Sequence, residues 1–352
     1  MSFAKIRVLV VDDSAIFRRF LSSTLASDPA IEVVGAAADP YEARDMILQL
    51  KPDVLTLDIE MPKMDGITFL KILTTQHPVP SVVFSSLSAQ GSQYALQALE
   101  AGAVDVLAKP SAGTFGADLA RELISKVKAA AGSSRIPRPA PPSPLGVYTS
   151  AINNSRPGQI ILIGSSTGGT EALKDIIPVL PPNLPPICIV QHIPAGYSAA
   201  LARRLNELSK LEVREAVDGE PLERGTVLIA PGDLHMVLVK RGADGYGVRL
   251  KQGPKVNQCR PSVDVLFESA APLVGNKAVA GILTGMGEDG ARGLLALRNA
   301  GSKTFAQDEK TCVVYGMPRK AFEAGGAQKQ VALGDIATHI VKCVAGTAAQ
   351  AR

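Results

Sequence analysis

Tryptophan is absent from this chain of 352 residues, and aromatic residues make up only 4% of it, so its cores must be aliphatic. Cysteine is scarce as well. Cys188, Cys259, Cys312 and Cys343 are far apart and form no C-x-x-C pair. That argues against a disulfide framework and reads as reduced thiols in a cytosolic protein. Basic residues form no long run and the net charge is only +4, so nucleic acid is not the expected partner. No stretch approaches the ~18 apolar residues that a membrane helix needs. The opening "MSFAKIRVLVVDDS" meets two aspartates before its apolar run is long enough for a signal-peptide core. A cytoplasmic location without membrane insertion is the expectation. Histidine occurs at four positions, His77, His192, His235 and His339, which limits where an imidazole base can stand.

What is present is length enough for two cores. Residues 132–158 carry five prolines between Pro137 and Pro144, with Gly and Ser at the edges. Proline fixes φ and removes a backbone donor, so this stretch reads as a partly extended linker. The expected organisation is a first domain over 1–131, a linker over 132–158 and a second domain over 159–348.

In the first domain strand-like runs alternate with helix-like runs. "IRVLVV", "IEVVGAA", "DVLTL", "SVVFS" and "AVDVLA" each precede a helical pattern: Ala15–Ala26, Tyr41–Leu50, Ile67–Gln76, Ser92–Ala101 and Ala117–Ala130. Such a βα series predicts a parallel sheet with helices on both faces, a (βα)5 or flavodoxin-like domain. Function then gathers at the carboxyl ends of the strands. Asp12, Asp13, Asp58, Ser85 and Lys109 fall at those ends. Converging carboxylates repel unless a cation joins them, and an all-oxygen set suits Mg²⁺. A carboxylate nucleophile that accepts phosphate fits this set.

The stretches "VLVVDDS", "DVLTLDIEMPKMDG", "VVFSSLS" and "VLAKP" resemble the response-regulator receiver family over residues 5–128. The resemblance implies Asp58 as phospho-acceptor and Asp12, Asp13 and Asp58 as Mg²⁺ ligands, with the Glu60 backbone carbonyl as a further one. It implies Ser85 as the switch hydroxyl, Lys109 as the phosphate-contacting lysine and a cis Lys109–Pro110 bond. Val106 departs from the family pattern, standing where many receivers carry an aromatic switch residue.

The second domain shows another α/β pattern, again a mostly parallel, doubly wound sheet. Strand-like runs are "IILIG", "ICIVQ", "TVLIA", "MVLVK", "AVAGILT" and "KTFAQ". Helical runs fall near Glu171–Ile177, Ser198–Leu208, Val263–Pro272, Gly290–Asn299 and Ile336–Val344. The polar stretch Arg241–Gln258 reads as an insertion with a hairpin. "IILIGSSTGGTEAL" puts hydroxyls between glycines where a strand becomes a helix. Three explanations compete: a phosphate cradle, a nucleophilic serine or a plain tight turn. GSSTGG is not G-x-G-x-x-G, and no lysine follows Gly169 to make a Walker loop. Gly164, Ser166 and Gly168 do match G-x-S-x-G.

A nucleophilic serine needs a base, and the base needs an orienter. His192, in "ICIVQHIP", is favoured by its place at a strand's carboxyl end. His235, in "APGDLHM", is the second candidate, while His77 and His339 read as surface and helix-face residues. "ILTGMGEDG" offers Asp289 as orienter and the Met286 N–H as an oxyanion donor. Asp264, Asp233 and Asp308 are rivals that also read as cap, turn or surface acids. "IGSSTGGTEAL", "IVQHIP", "APGDLHM", "CRPSVDVLFESAA" and "GILTGMGEDG" resemble the catalytic domain of the CheB family of chemotaxis methylesterases, over about residues 159–345.

That resemblance implies Ser166 as nucleophile, His192 as general base and Asp289 as orienter. Backbone N–H groups near Thr167 and Met286 would hold the oxyanion, and the esterase site would use no cofactor. It implies methyl esters of receptor glutamates as substrate, with glutamine deamidation as a further activity. The implied partners are methyl-accepting chemotaxis receptors and a histidine kinase of CheA type. An unphosphorylated receiver is expected to block the cleft. Two rivals stand beside this reading. One is a catalytically silent binding module, which an intact Ser166, His192 and Asp289 set disfavours. The other is a DNA-binding regulator, which the absence of a basic recognition helix disfavours.

Overall fold

A computed structural model describes residues 4–110, 116–133, 157–242 and 245–349. The chain divides into two compact units between Ser133 and Ser134. Of the expected linker, residues 134–156 lie outside the described residues.

The first unit runs β1 (Ile6–Val11), α1 (Ala15–Ala26), β2 (Ile31–Ala37), α2 (Pro40–Leu50), β3 (Val54–Asp58), α3 (Gly66–Gln76), β4 (Ser81–Ser86), α4 (Ala89–Glu100), β5 (Asp105–Lys109) and α5 (Ala117–Ala131). Its sheet is parallel with strand order β2-β1-β3-β4-β5. The strand order reverses between β1 and β3, and open α/β sheets bind ligands at such a point. Val8, Val10, Phe84 and Leu107 pack with Phe17, Leu21, Leu123 and Val127 from α1 and α5. The α4 helix begins three residues before the expected Ser92, because Ser88 caps it by accepting from Gly91 N.

The second unit runs β6 (Ile160–Ser165), α6 (Gly169–Ile176), β7 (Ile187–Gln191), α7 (Tyr197–Leu208), β8 (Glu212–Glu215), β9 (Thr226–Ile229), β10 (His235–Arg241), β11 (Gly245–Lys251), α8 (Val263–Val274), β12 (Ala278–Ile282), α9 (Ala291–Asn299), β13 (Lys303–Gln307), α10 (Met317–Glu323), β14 (Lys329–Val331) and α11 (Leu333–Ala349). Seven strands form a parallel sheet in the order β14-β13-β12-β6-β7-β9-β8. Leu162 and Val190 pack on Val263, Leu266 and Phe267 of α8. Ile161, Ile163 and Ile189, at the alternate positions of the strands, are also fully buried. Burial on both faces explains why these strands read as continuous apolar runs. The order reverses at β6 and β12, which makes their carboxyl ends the second expected ligand crevice.

Two expectations are corrected. "MVLVK" is not a strand of the main sheet: it belongs to β10, which pairs antiparallel with β11 as a separate hairpin. An apolar run of that length reads alike in both settings. Here Met236, Leu238, Tyr246 and Val248 cover α8, and the Ser269 hydroxyl accepts from Leu238 N at 2.9 Å. The cis peptide recorded among the described residues is Arg260–Pro261, not Lys109–Pro110. Trans is the default for an X–Pro bond, favoured by ~0.5–1 kcal/mol.

Candidate functional site

At the β1/β3 switch point Asp12 and Asp58 are buried and Asp13 is exposed. Their carboxylate oxygens gather within 4.8 Å of one another. Lys109 Nζ reaches Asp12 Oδ2 at 2.9 Å and Asp58 Oδ2 at 2.6 Å. The same ammonium stands 5.1 Å from the centre of the Phe17 ring. Burial pushes the Asp58 carboxyl up, Asp12 adds to that, and Lys109 opposes both, leaving Asp58 at about 6. Burial also raises Asp12. Glu60 donates its backbone N–H to Asp58 Oδ1 at 3.4 Å, and its side chain accepts from Ser86. The buried Ser85 hydroxyl donates to Gly91 O at 2.7 Å, toward α4. Val106 is buried in β5 opposite Val83, with no ring to reorient.

The second cluster sits at the carboxyl ends of β12, β6 and β7. Ser165 and Gln191 are register partners, so Ser166 and His192 follow on adjacent strands. The turn bearing Ser166 is pinned from three sides. Ser166 N donates to Thr284 O at 3.0 Å, and Ser166 O accepts from Gly169 N at 2.7 Å and Gln191 Nε2 at 2.9 Å. Gly168 has φ +77°, and a Cβ there would stand 2.6 Å from Val313. That is the left-handed geometry a sharp strand-to-helix turn requires. A Cβ on Gly285 would come within 2.7 Å of Ser166 Cβ, so glycine lets the Met286 segment lie beside the serine. Thr167 is buried, with its carbonyl held by Thr284 Oγ1 at 2.9 Å.

His192 and Asp289 are joined: Nε2 lies 2.8 Å from Asp289 Oδ2. Asp289 is 2% exposed and lies at the amino end of α8. It also accepts from Ser262 Oγ at 2.7 Å, Val263 N at 2.6 Å and Asn257 Nδ2 at 2.9 Å. Burial alone would raise its pKa. Hydrogen bonds from His192, Asn257 and Ser262, with the His192 charge, bring it down to about 2. The other His192 nitrogen, Nδ1, lies 3.5 Å from Cys259 Sγ. Burial disfavours the imidazolium, but Cys259 and Asp289 outweigh that and raise the His192 pKa. The Ser166 hydroxyl makes no hydrogen bond among the described residues, and its approach to Nδ1 is not made in this state.

The rival acids and histidines have other partners. His235 is buried with Nε2 on Pro254 O at 2.9 Å and Nδ1 accepting from Ser262 N at 3.2 Å. Asp264 ties α8 to α9 through Gly293 N at 2.8 Å. Asp233 pairs with Arg260, and Asp308 caps a short turn by accepting from Thr311 N. His339 packs edge-on against Phe305, and His77 is exposed at the end of α3. Three contributors went unread in the sequence: Gln191, Asn257 and Cys259. Asn257 and Gln258 have φ of +49° and +64°, a tight turn that lays both Asn257 and Cys259 over the His192–Asp289 pair. Polar residues between a hairpin and a helix cap were the available signal.

A receiver-type unit and an α/β unit with a serine turn beside a His–Asp pair define a response regulator whose second domain is built as a hydrolase. Comparison with known proteins narrows the class. Residues 8–115 match the response regulator receiver domain and residues 161–340 match the CheB methylesterase family. The chain is 48% identical over 346 residues to protein-glutamate methylesterase/protein-glutamine glutaminase 2 of Syntrophus aciditrophicus, covering 97% of this chain and 100% of that protein. It is 50% identical over 338 residues to protein-glutamate methylesterase/protein-glutamine glutaminase 1 of Caulobacter vibrioides, covering 96% of this chain and 98% of that one. The Thermotoga maritima CheB methylesterase catalytic domain superposes with a TM-score of 0.51 at 42% identity, over 53% of this chain and 98% of that one. The chain belongs to the CheB methylesterase family and is an enzyme of that class. No described helix is long and apolar enough to cross a membrane.

Proposed function

We propose that the protein hydrolyses methyl esters of glutamate side chains on chemoreceptor cytoplasmic domains, releasing methanol, under control of phosphorylation at Asp58. The observation that carries this reading is the His192–Asp289 pair at 2.8 Å beside the Ser166 turn, on adjacent strand ends. The names of the two relatives supply the glutamate ester, and with it glutamine deamidation by the same attack.

Ser166 Oγ attacks the ester carbonyl carbon as its proton passes to His192 Nδ1. The N–H groups of Thr167 and Met286 are the candidates to hold the oxygen that becomes negative. The carbonyl–methoxy bond then breaks, and the imidazolium returns its proton to the departing methoxide. Water cleaves the acyl-enzyme by the same route, leaving glutamate. Asp289 stays ionised throughout, holds Nε2–H and stabilises the imidazolium. For His192 to begin as a base it must be neutral, so its raised pKa places the active form on the alkaline side. The test is methanol release from methylated receptor fragments by the full chain.

At the other site Asp12, Asp13 and Asp58, with the Glu60 carbonyl, would hold Mg²⁺. The fit rests on an all-oxygen donor set and on a buried carboxylate pair that Lys109 bridges. The metal would neutralise charge as Asp58 takes phosphate from a CheA-type histidine kinase. Lys109 then contacts the added oxygens, and Ser85 leaves Gly91 O to reach them. Because Asp58 holds a proton below about 6, protons compete with the metal. Mg²⁺ affinity, measured by titration calorimetry, should fall about tenfold from about pH 7.5 to about pH 5. Asp58→Asn should remove activation by a small phosphodonor while keeping basal methanol release. Loss of the basal rate, or activation that persists, would count against Asp58 as the control point.

A further inference from the structure

We propose that Cys259 Sγ and His192 Nδ1 form a binding site for a borderline divalent cation, Zn²⁺ above all, whose occupation switches the esterase off. The blocking half rests on the reading of His192 as general base; the binding half does not. The Sγ–Nδ1 separation is 3.5 Å. Zn–S of about 2.3 Å and Zn–N of about 2.05 Å in a tetrahedral shell put the two ligand atoms about 3.6 Å apart. The pair therefore already stands at the edge length such an ion requires. The far side of the imidazole is prepared too: Nε2 donates to Asp289 Oδ2 at 2.8 Å. A ligating histidine usually donates its other N–H to a carboxylate, which fixes the tautomer and raises the basicity of the metal-facing nitrogen. Asp289 is itself held by Ser262, Val263 and Asn257. Cys259 is partly exposed, so an ion and its waters can enter.

The donor sets of the two units differ in softness. Asp12, Asp13 and Asp58 offer oxygen only, whereas His192 Nδ1 and Cys259 Sγ offer nitrogen and sulfur. Thiolate and imidazole select Zn²⁺ or Co²⁺ over Mg²⁺. Binding would exchange the Cys259 thiol proton for the metal, releasing that proton to solvent, with no change of oxidation state. It would also occupy the lone pair on Nδ1, which then cannot accept the Ser166 proton.

The probe is Co²⁺, added to the full chain with Mg²⁺ in excess so that the oxygen site is filled. One equivalent should produce a thiolate-to-cobalt absorption in the near ultraviolet, and Zn²⁺ should displace it. Cys259→Ser and Cys259→Ala should abolish the band. Cys343→Ser should keep it, although Cys343 also faces a histidine, His339 Nε2, at 3.6 Å. In parallel, Zn²⁺ should inhibit methanol release, and at least tenfold more Zn²⁺ should be needed in Cys259→Ser. A band that is absent, or that Cys343→Ser removes, overturns the site. A band lost in Cys259→Ser without any Zn²⁺ inhibition overturns the blocking half and, with it, the assignment of His192 as base. Such a result would leave the metal site standing.

Discussion

Ser166→Ala is expected to lower kcat for methanol release by at least about 10⁴-fold. The expected cost in stability is small. The Ser166 hydroxyl makes no hydrogen bond among the described residues, and the turn is held through its backbone N–H and carbonyl. Those bonds to Thr284, Gly169 and Gln191 survive the substitution. KM should change little, since the hydroxyl acts on the reacting carbon rather than on the rest of the bound substrate. The check is kinetics beside a thermal melt of the same sample. A variant that melts normally yet keeps more than about a hundredth of the rate would remove the serine from the mechanism.

Asp289→Asn should cost both activity and stability. Oδ2 accepts from His192 Nε2 and Val263 N, and Oδ1 accepts from Ser262 Oγ and Asn257 Nδ2. An amide NH₂ at either position points a donor at donors. The penalty for such unmet buried groups is about 2–4 kcal/mol. With the His192 tautomer no longer held, kcat should fall about 10⁴-fold. The pH dependence follows in sign. A carboxyl depressed to about 2 stabilises the fold fully above its ordinary value of 3.8, and that contribution is lost as pH falls toward 2. In Asp289→Asn this acid limb should flatten. Asp264→Asn is the control: its carboxylate meets Gly293 N and Asn257, so it should weaken the α8–α9 tie more than the chemistry.

Much of this was legible because the strands are buried on both faces. "IILIG" and "ICIVQ" are short aliphatic runs closed by glycine and glutamine, and each is a strand of a parallel sheet. Edge elements were harder to read. β8 is Glu-Val-Arg-Glu with a single buried residue, and β14 has three residues at the sheet's rim. Neither carries an apolar run. α10 follows Gly316 and opens on Met-Pro, which reads as a turn until Met317 is seen to be buried. At the site, His192 and Asp289 stood out because each follows a strand. Cys259 and Asn257 come from a left-handed turn whose approach to His192 depends on the hairpin and α8 meeting. No local pattern encodes that meeting. Gln191 was in plain view at the end of "ICIVQ", but its amide joins Ser166 O to His192 O only once the two strands pair.

The most direct measurement is methanol release from methylated receptor fragments by the full chain, with and without Mg²⁺ and a small phosphodonor. Release that depends on Ser166 and rises with the phosphodonor in the intact protein, but not in Asp58→Asn, is the predicted result. No release from the folded protein under either condition would contradict the esterase reading and favour a silent binding module.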